Sequence, residues 1–258
     1  MIKFAIAGKL DYFGKGNQKL QDNGYTPTLA IPDEERVIDY QDAIKTQGLE
    51  LLICLAHPHI LTSDEIALFP KGCINLHSGI PNYCGRHPVN WMIIDGLQEI
   101  PVAVHYMNTD IDGGDIIVED SFIVEREDDY ASVLDRITAL GADLILAAVK
   151  QIESATVYPR PQILPRRYIK KRTPADSKTN LNCSSVDLHR FICSLVDPMP
   201  NAFATTPAGQ EVRFQKSYVG KAPGEVLAET LDGRYVIATQ DGVILVATDK
   251  KLKVGDKF

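Results

Sequence analysis

The stretch Leu49–Ala56 (LELLICLA) limits the possible folds of this sequence more than any other, because nearly every position in it is apolar. A strand with one solvated face alternates apolar and polar residues, whereas a strand of a parallel sheet is covered on both faces. Three further apolar runs, at Ile2–Gly8, Thr26–Ile31 and Gly72–His77, alternate with segments that can be helical. This alternation predicts an α/β domain with a mostly parallel sheet and helices on both faces.

The following residues predict two more strands, a long helix and the end of this first domain. Val102–Met107 and Asp115–Val124 have strand character, and an apolar stripe predicts a helix over residues 129–152. The pattern breaks at Pro159–Arg172, where three prolines and six basic residues predict a linker. We therefore expect the first domain to span residues 1–165.

Residues 166–258 predict a second, smaller domain with one helix and several antiparallel strands. The helix is expected at Ser184–Leu195. The strand candidates include Gly233–Thr239 and Gly242–Thr248, separated by a turn at Gln240-Asp241. This combination is typical of a small α+β domain or of an OB-like domain with a partly closed barrel.

The charge of the chain is unevenly divided between the two predicted domains. Residues 1–165 contain 12 Lys and Arg against 24 Asp and Glu, a net charge of −12. Residues 166–258 contain 15 basic against 10 acidic residues, a net charge of +5. The asymmetry suggests that the two domains have different tasks, and that the basic one could contact a phosphate-bearing partner.

Cysteine usage and hydropathy predict a cytoplasmic protein. The five cysteines are odd in number and form no CxxC pair, which argues against a disulfide scaffold or a zinc ribbon. No apolar run approaches the roughly 20 residues that span a bilayer, so we expect no membrane partner. The first residues, MIKFAIAG, lack the basic region and the cleavage site of a signal peptide.

The densest group of chemically useful residues lies between Ile74 and Ile117. Asn75 and His77 are two positions apart near the end of a predicted strand, so both side chains point to the same face. Ligands of open α/β sheets bind at the carboxyl ends of strands, and Asp112 follows in a glycine-rich loop. An imidazole base, an amide that stabilises an oxyanion and a carboxylate that orients the imidazole suit acyl transfer to an amine.

These residue types alone leave structural roles open, since Asn75 could cap a turn and Asp112 could serve only its glycine loop. Their spacing is more specific. The pattern N-x-H at residues 75–77 is followed by P-x-Y-x-G at residues 81–85, by a Pro and a Trp, and by D-x-G-D-I at residues 112–116. This pattern of about forty residues resembles the folate-dependent formyltransferase family. That family includes methionyl-tRNA formyltransferase, phosphoribosylglycinamide formyltransferase and the nucleotide-sugar N-formyltransferases.

The resemblance implies a Rossmann-like first domain, and no GxGxxG dinucleotide fingerprint follows the first predicted strand. It implies a catalytic trio in which His77 is the base, Asn75 the oxyanion donor and Asp112 the residue that orients His77. It also implies 10-formyltetrahydrofolate as the formyl donor. Apolar side chains and backbone groups would hold this folate in a pocket formed by His57, His59, Ile60 and Leu61, with Asp110 and Ile111 in the opposite wall.

Further polar residues near the trio could contact the acceptor. Arg86 could pair with a phosphate or a carboxylate, Tyr83 could contact the acceptor, and Lys9 could contact a phosphate. Tyr83 and Arg86 could equally be surface residues, and Lys9 is the weaker candidate, because lysines in such loops are most often simply solvated. His57 and His59 could be read as a metal pair, but no carboxylate-rich second motif completes a ligand set, so we predict no metal.

The acceptor amine is the least determined part of the function. The runs VHYM and DGGDII are most similar to the nucleotide-sugar members, which implies an acceptor such as a dTDP-linked 4-amino-4,6-dideoxyhexose. The acidic first domain is also a poor surface for tRNA, because tRNA binding usually relies on several Lys or Arg contacts with phosphates. Against this, Pro223–Ala247 resembles the C-terminal domain of methionyl-tRNA formyltransferase, so tRNA remains the alternative acceptor.

Two readings come from other functional classes: a non-catalytic folate-binding module, and a hydrolase that deformylates the folate onto water. Loss of a trio residue would favour the module, and all three residues are present. A homodimer is compatible with the family, although no heptad or exposed apolar stripe in the sequence demonstrates one.

Overall fold

A computed structural model describes residues 1–9, 14–163, 165–219, 234–238 and 243–249 of the chain. The chain divides into two compact units that alternate along the sequence. The first unit lies within residues 1–88, 99–123 and 135–169, and the second lies within residues 89–98, 124–134 and 170–258. The expected domain boundary after residue 165 remains a prediction.

The first unit contains a six-stranded sheet. The described strands of the unit, which include a separate pair β5-β8, are β1 (Phe4–Gly8), β2 (Leu29–Ile31), β3 (Leu51–Leu55), β4 (Cys73–Ser78), β5 (Cys84–Gly85), β6 (Glu99–Tyr106), β7 (Ile116–Ile123) and β8 (Tyr168–Ile169). Helices α1 (Gly14–Asp22), α2 (Gln41–Gln47) and α3 (Ser63–Ala67) belong to the same unit. Six strands form the sheet in the order β2-β1-β3-β4-β6-β7. β1 to β4 pair in parallel, and β6 pairs antiparallel with β4 and β7. The predicted α/β architecture with a mostly parallel sheet is therefore confirmed.

The central strand β3 corresponds to the apolar run LELLICLA. All five of its residues are buried, and it pairs with β1 on one side and β4 on the other. Leu52 and Cys54 pack in a core cluster with Ile31, Ile44 and Phe69. A fully buried Leu or Ile side chain stabilises a fold by about 1.5–3 kcal/mol relative to an exposed one. This packing holds β3 beside β4, the strand that contains Asn75 and His77.

Helix α3 has no counterpart among the predicted helices. It begins after Thr62, whose hydroxyl accepts a hydrogen bond from the Glu65 backbone N–H at 3.3 Å, while the Glu65 carboxylate accepts from the Thr62 N–H at 2.8 Å. This reciprocal capping box satisfies two donors that a helix start leaves unpaired. The Glu65 side chain is only 1% exposed and pairs with Arg36 at 2.7 Å, so α3 depends on tertiary contacts as well as on its cap.

The stretch predicted as a linker packs on the first unit instead. Arg160 and Ile116 exchange two backbone hydrogen bonds, each 2.8 Å long. Further along, β8 pairs in parallel with β5. The described residues of the predicted linker up to residue 169 therefore belong to the first unit, and whether the stretch joins two domains remains a prediction. Proline removes a backbone donor, but the backbone of Arg160 and Arg167 and the side chains of Gln162 and Arg166 form hydrogen bonds with other residues of the first unit.

Helices α4 (Pro88–Ile94) and α5 (Tyr130–Glu153) include residues of both units. α5 agrees with the predicted helix within one residue at each end. Asp129 precedes α5, and the Asp129 carboxylate accepts hydrogen bonds from the backbone N–H groups of Ala131 and Ser132 at 3.0 and 3.1 Å, as an N-cap residue does.

Among the residues that the structure describes, no helix is long and apolar enough to cross a membrane.

The described part of residues 170–258 combines one α-helix with an antiparallel sheet, as predicted for the second domain. Its elements are α6 (Ser185–Cys193), β9 (Ala202–Thr205), β10 (Glu211–Val219), β11 (Tyr235–Ala238) and β12 (Val243–Thr248). The strand order is β11-β12-β10-β9, and Leu188 and Ile192 of the helix share a core cluster with Val212 and Phe214 of the sheet. The predicted turn at Gln240-Asp241 lies outside the described residues, and the described strands leave closure of a barrel untested.

Candidate active site

Asn75 and His77 lie on the same face of β4, as their spacing predicts. The two residues are partly exposed, whereas Leu76 and Ser78, which alternate with them, are buried. In the adjacent strand β6, His105 is the register partner of Asn75. Because successive side chains of a strand point to opposite faces, the Asn75 amide and the His77 imidazole lie on one side of the sheet.

Asp112 joins these two residues from the loop between β6 and β7. Its Oδ1 atom lies 3.6 Å from Nδ1 of His77, and its Oδ2 atom accepts a hydrogen bond from the Gly85 backbone N–H at 2.8 Å. Both side chains are largely buried, at 9% exposure for His77 and 13% for Asp112. The Asp112 carboxylate therefore lies beside the imidazole of His77, where it can orient the ring.

The contact between His77 and Tyr83 defines the tautomer of the imidazole. His77 Nε2 lies 3.0 Å from the backbone carbonyl oxygen of Tyr83. Because a carbonyl oxygen only accepts hydrogen bonds, Nε2 carries the hydrogen. Nδ1 is then the atom of the neutral ring that can take up a proton, and this atom faces Asp112.

His105 orients the side-chain amide of Asn75, a contact that the sequence analysis does not identify. His105 Nδ1 lies 2.7 Å from the Tyr106 carbonyl oxygen and therefore donates to it, which leaves Nε2 as the acceptor for the Asn75 amide at 3.3 Å. His105 is 1% exposed. Burial, with the nearby His77 as a smaller cause, lowers the pKa of His105 to about 4, so its ring stays neutral at physiological pH. The amide nitrogen of Asn75 thus points to His105.

A cavity of about 180 Å³ adjoins this group of residues. Asn75, His105 and Asp112 contribute to its wall. His77 does not line the cavity, but its Nδ1 atom lies 3.6 Å from Oδ1 of Asp112, which does. All six residues predicted to bind the folate also line it, namely His57, His59, Ile60, Leu61, Asp110 and Ile111. The structure therefore brings the predicted folate residues and the predicted trio into one place.

The cavity wall combines apolar side chains with buried polar atoms. Met107 and Leu61 supply apolar surface, and both ring nitrogens of His57 are buried without a hydrogen-bond partner among the described residues. Burial, followed by the neighbouring His59, lowers the pKa of His57 to about 4, so its ring is neutral. A neutral imidazole offers one donor and one acceptor to the polar edge of a heterocycle.

The three predicted acceptor-binding residues have different positions. Arg86 lines the cavity, is exposed, and donates a hydrogen bond to the Pro58 carbonyl at 2.8 Å. The Tyr83 ring is 5% exposed, and the Arg167 guanidinium lies 5.2 Å from its centroid. Lys9 lies 3.9 Å from Asp33 and is not among the described residues that line the cavity. The acceptor-binding roles of all three remain predictions.

Gln162 and Arg166 are further site residues that the sequence analysis does not identify. The Gln162 amide donates to the carbonyls of Asp112 and Gly114, each at 2.7 Å, and Arg166 donates to the Gly113 carbonyl at 2.7 Å. Both residues belong to the proline-rich basic stretch, whose composition indicates a linker. No local signal in that stretch identifies its partners.

In the described part of the chain, no group of three or more His, Cys, Asp or Glu side chains could hold a metal ion.

We expect Gly114→Ala to disturb the loop that carries Asp112. A Cβ atom at position 114 would lie 1.9 Å from the Tyr106 carbonyl oxygen, so the backbone must shift. The free energy of unfolding should fall by about 1–3 kcal/mol, as for other overpacked sites, and any activity that depends on Asp112 should fall with it. Urea unfolding measures the first effect. Gly14→Ala is the matched control, because its Cβ meets nothing within 4 Å; equal stability of both variants would contradict this account of the loop.

The chain matches two models of one protein family. Residues 9–149 match the model described as formyl transferase, and residues 171–254 match the formyl transferase C-terminal domain. The methionyl-tRNA formyltransferase of Fusobacterium nucleatum is 29% identical over 217 residues, which cover 81% of this chain and 69% of the relative. That of Syntrophus aciditrophicus is 35% identical over 156 residues, which cover 58% of this chain and 50% of the relative.

Solved structures share the fold. The N-formyltransferase from Helicobacter canadensis, in complex with folinic acid and dTDP-3-aminofucose, has a TM-score of 0.75 at 18% identity and covers 96% of this chain and 99% of its own. The methionyl-tRNA formyltransferase from Clostridium thermocellum has a TM-score of 0.68 at 14% identity, with coverages of 89% and 97%. HypX from Aquifex aeolicus, in complex with tetrahydrofolic acid, has a TM-score of 0.76 at 16% identity over 95% of this chain, which spans only 43% of HypX. The first family model alone spans more than half of the sequence, and this chain therefore belongs to the formyl transferase family of folate-dependent one-carbon transferases.

Proposed function

We propose that this chain transfers a formyl group from 10-formyltetrahydrofolate to the amine of a nucleotide-linked amino sugar. The observation that carries the formyl transfer is the grouping of Asn75, His77 and Asp112 beside one cavity that all six predicted folate residues line. The same grouping disfavours a non-catalytic folate-binding module, since a binding module does not need a base paired with a buried carboxylate.

Each trio residue has one proposed role. His77 takes a proton from the attacking amine at Nδ1, the ring atom that its hydrogen bond to Tyr83 leaves available. Asp112, 3.6 Å from that atom, stabilises the imidazolium that forms. The side-chain amide of Asn75 donates a hydrogen bond to the formyl oxygen as negative charge develops there.

The cavity supports a folate as the donor. Its wall combines the neutral, unpartnered His57 ring with the exposed apolar side chains of Ile60 and Ile111, which are 59% and 42% exposed. Exposed apolar side chains at a pocket lose water when a flat heterocycle covers them, which favours binding. The folate complexes of two proteins with this fold, HypX and the Helicobacter canadensis enzyme, support the same assignment.

The charge distribution supports a small anionic acceptor. Among the described residues that line the cavity, Arg86 is the only lysine or arginine, and residues 1–165 carry a net charge of −12. One arginine can pair with the diphosphate of a nucleotide-linked sugar. A tRNA acceptor requires several such contacts, and an acidic surface opposes them.

Methionyl-tRNA is the second candidate acceptor, and the curated relatives favour it. The Fusobacterium nucleatum and Syntrophus aciditrophicus relatives are both methionyl-tRNA formyltransferases. The net charge of +5 over residues 166–258 would suit contact with a nucleic acid.

An acceptor comparison tests the proposal directly. The full chain is incubated with 10-formyltetrahydrofolate and with dTDP-3-aminofucose, a dTDP-linked 4-amino-4,6-dideoxyhexose or methionyl-tRNA, and formylated product is measured by mass spectrometry. We expect a formylated amino sugar and a kcat/KM for the sugar at least about tenfold higher than for the tRNA, a difference of about 1.4 kcal/mol in transition-state stabilisation. Formylation of methionyl-tRNA alone would overturn the sugar assignment. Release of formate without product would favour the hydrolase.

A further inference from the structure

Three consecutive carbonyl oxygens of the loop that carries Asp112 accept hydrogen bonds from one distant segment. We call residues 160–163 and 165–169 the strap. Within it, the amide of Gln162 donates to the Asp112 and Gly114 carbonyls, each at 2.7 Å. Arg166 donates to the Gly113 carbonyl at 2.7 Å and to the Asp110 carboxylate at 2.9 Å. The strap therefore holds the backbone on both sides of the Asp112 side chain.

The strap also supports the carboxylate of Asp112. Oδ2 of Asp112 accepts a hydrogen bond from the Gly85 N–H at 2.8 Å, and Gly85 is the register partner of Ile169 in the strap. The two chains approach so closely that a Cβ atom at Gly85 would lie 3.0 Å from the Ile169 carbonyl oxygen. The strap therefore contacts both the loop that carries Asp112 and strand β5, whose Gly85 donates to the Asp112 carboxylate.

The backbone of Asp112 needs such support. Its φ angle is +50°, in the left-handed region. Residues other than glycine adopt this region at a cost, which is smaller for Asp and Asn than for other side chains, and surrounding contacts decide whether they remain in it. Gln162 is 9% exposed, and both of its described hydrogen bonds use the amide nitrogen. The orientation of its amide is therefore defined by two carbonyl partners.

We propose that Gln162 is the positioning residue for Asp112 in formyl transfer. Its two hydrogen bonds hold Asp112 in the left-handed conformation, which places the carboxylate beside Nδ1 of His77. This inference rests on the proposed catalytic role of Asp112, and it adds a residue fifty positions away in the sequence. Gln162 acts through the backbone of the loop and needs no contact with donor or acceptor.

The test is the near-isosteric substitution Gln162→Glu in the full chain. An ionised glutamate cannot donate to two carbonyl oxygens, so the loop should lose its support. We expect kcat to fall about 10- to 100-fold, which is typical when a residue that orients a functional side chain, without contacting the substrate itself, is replaced. The KM for 10-formyltetrahydrofolate should change far less. Protonation of the introduced carboxylate restores one hydrogen-bond donor. The ratio of wild-type kcat to Gln162→Glu kcat should therefore become smaller as the pH is lowered.

Controls separate positioning from general damage. Gln21→Glu adds the same charge at an exposed position of α1 and should leave kcat unchanged. Gln162→Met removes the donors without adding charge and should also lower kcat. For this variant the ratio of wild-type kcat to variant kcat should not become smaller at low pH. Thermal unfolding identifies any variant that fails to fold. A folded Gln162→Glu variant with kcat within about twofold of the wild type would overturn the proposal, since a 1 Å misplacement of catalytic groups typically costs far more.

Two measurements distinguish failure of this proposal from failure of the proposed function. If Asp112→Asn retains full activity, the catalytic role of Asp112 is wrong; if only Gln162→Glu retains it, positioning by Gln162 is wrong. Crystal structures of the wild-type and Gln162→Glu chains provide a readout that needs no acceptor. The distance between His77 Nδ1 and Asp112 Oδ1, 3.6 Å in the wild type, should lengthen by about 1 Å or more. An unchanged loop would overturn the proposal.

Discussion

Replacing His77 by alanine should lower kcat for formyl transfer by about 10²- to 10⁴-fold, the usual contribution of a general base. In the proposed mechanism the imidazole accepts the proton of the attacking amine, and its Nδ1 atom lies 3.6 Å from Oδ1 of Asp112. Without it the amine must release its proton to water, while the cavity that adjoins Asn75 and Asp112 remains. The measurement is steady-state kinetics with saturating 10-formyltetrahydrofolate.

Folate binding and folding are the internal controls for His77→Ala. His77 does not contribute to the wall of the cavity, so the Kd for a folate analogue measured by calorimetry should stay within about threefold of the wild type, a change of less than 1 kcal/mol. His189→Gln is the matched variant. His189 belongs to the second unit, where it contacts the Ser217 hydroxyl at 2.9 Å, and a glutamine can preserve that contact. Near-normal turnover by His77→Ala would refute the proposed base.

Replacing Asn75 by alanine should lower kcat by about 10²- to 10³-fold, as for the loss of one oxyanion-stabilising donor. The structure adds a reason for this donor to be effective. The amide is oriented by Nε2 of His105, at 3.3 Å, before any substrate arrives. Because His105 is buried and its pKa is lowered to about 4, it remains an acceptor at physiological pH and does not compete with Asn75 as a donor. An oriented amide requires little reorganisation during the reaction.

The split between kcat and KM decides the role of Asn75. An oxyanion donor acts mainly in the transition state, so the KM for the folate should change little while kcat falls. If instead KM rises and kcat is retained, Asn75 binds the ground state and the oxyanion role is wrong. Asn23→Ala, which removes an exposed side-chain amide bound to the Lys19 carbonyl at 2.9 Å, is the matched control.

The core of the fold could be predicted because the relevant signals are local. The apolar run that became β3 is buried at every position, and α5 agrees with its apolar stripe within one residue. Helix α3 has no counterpart among the predicted helices, since five residues give too little periodicity to stand out. The contacts of the strap escape prediction for a related reason: proline and basic residues describe its composition, whereas its contacts with β5 and with the loop of Asp112 are long-range.

The sequence by itself determined that Asn75 and His77 share a face, because a strand alternates its side chains with a period of two. Its spacing also indicated the family to which the chain belongs. Only the tertiary structure decided which residues meet this pair. The pairing of β4 with β6 places His105 opposite Asn75, the loop after β6 brings Asp112 to His77, and the strap brings Gln162 to Asp112. Such contacts join residues 30 to 50 positions apart, and they depend on strand order and loop path, which local patterns do not encode.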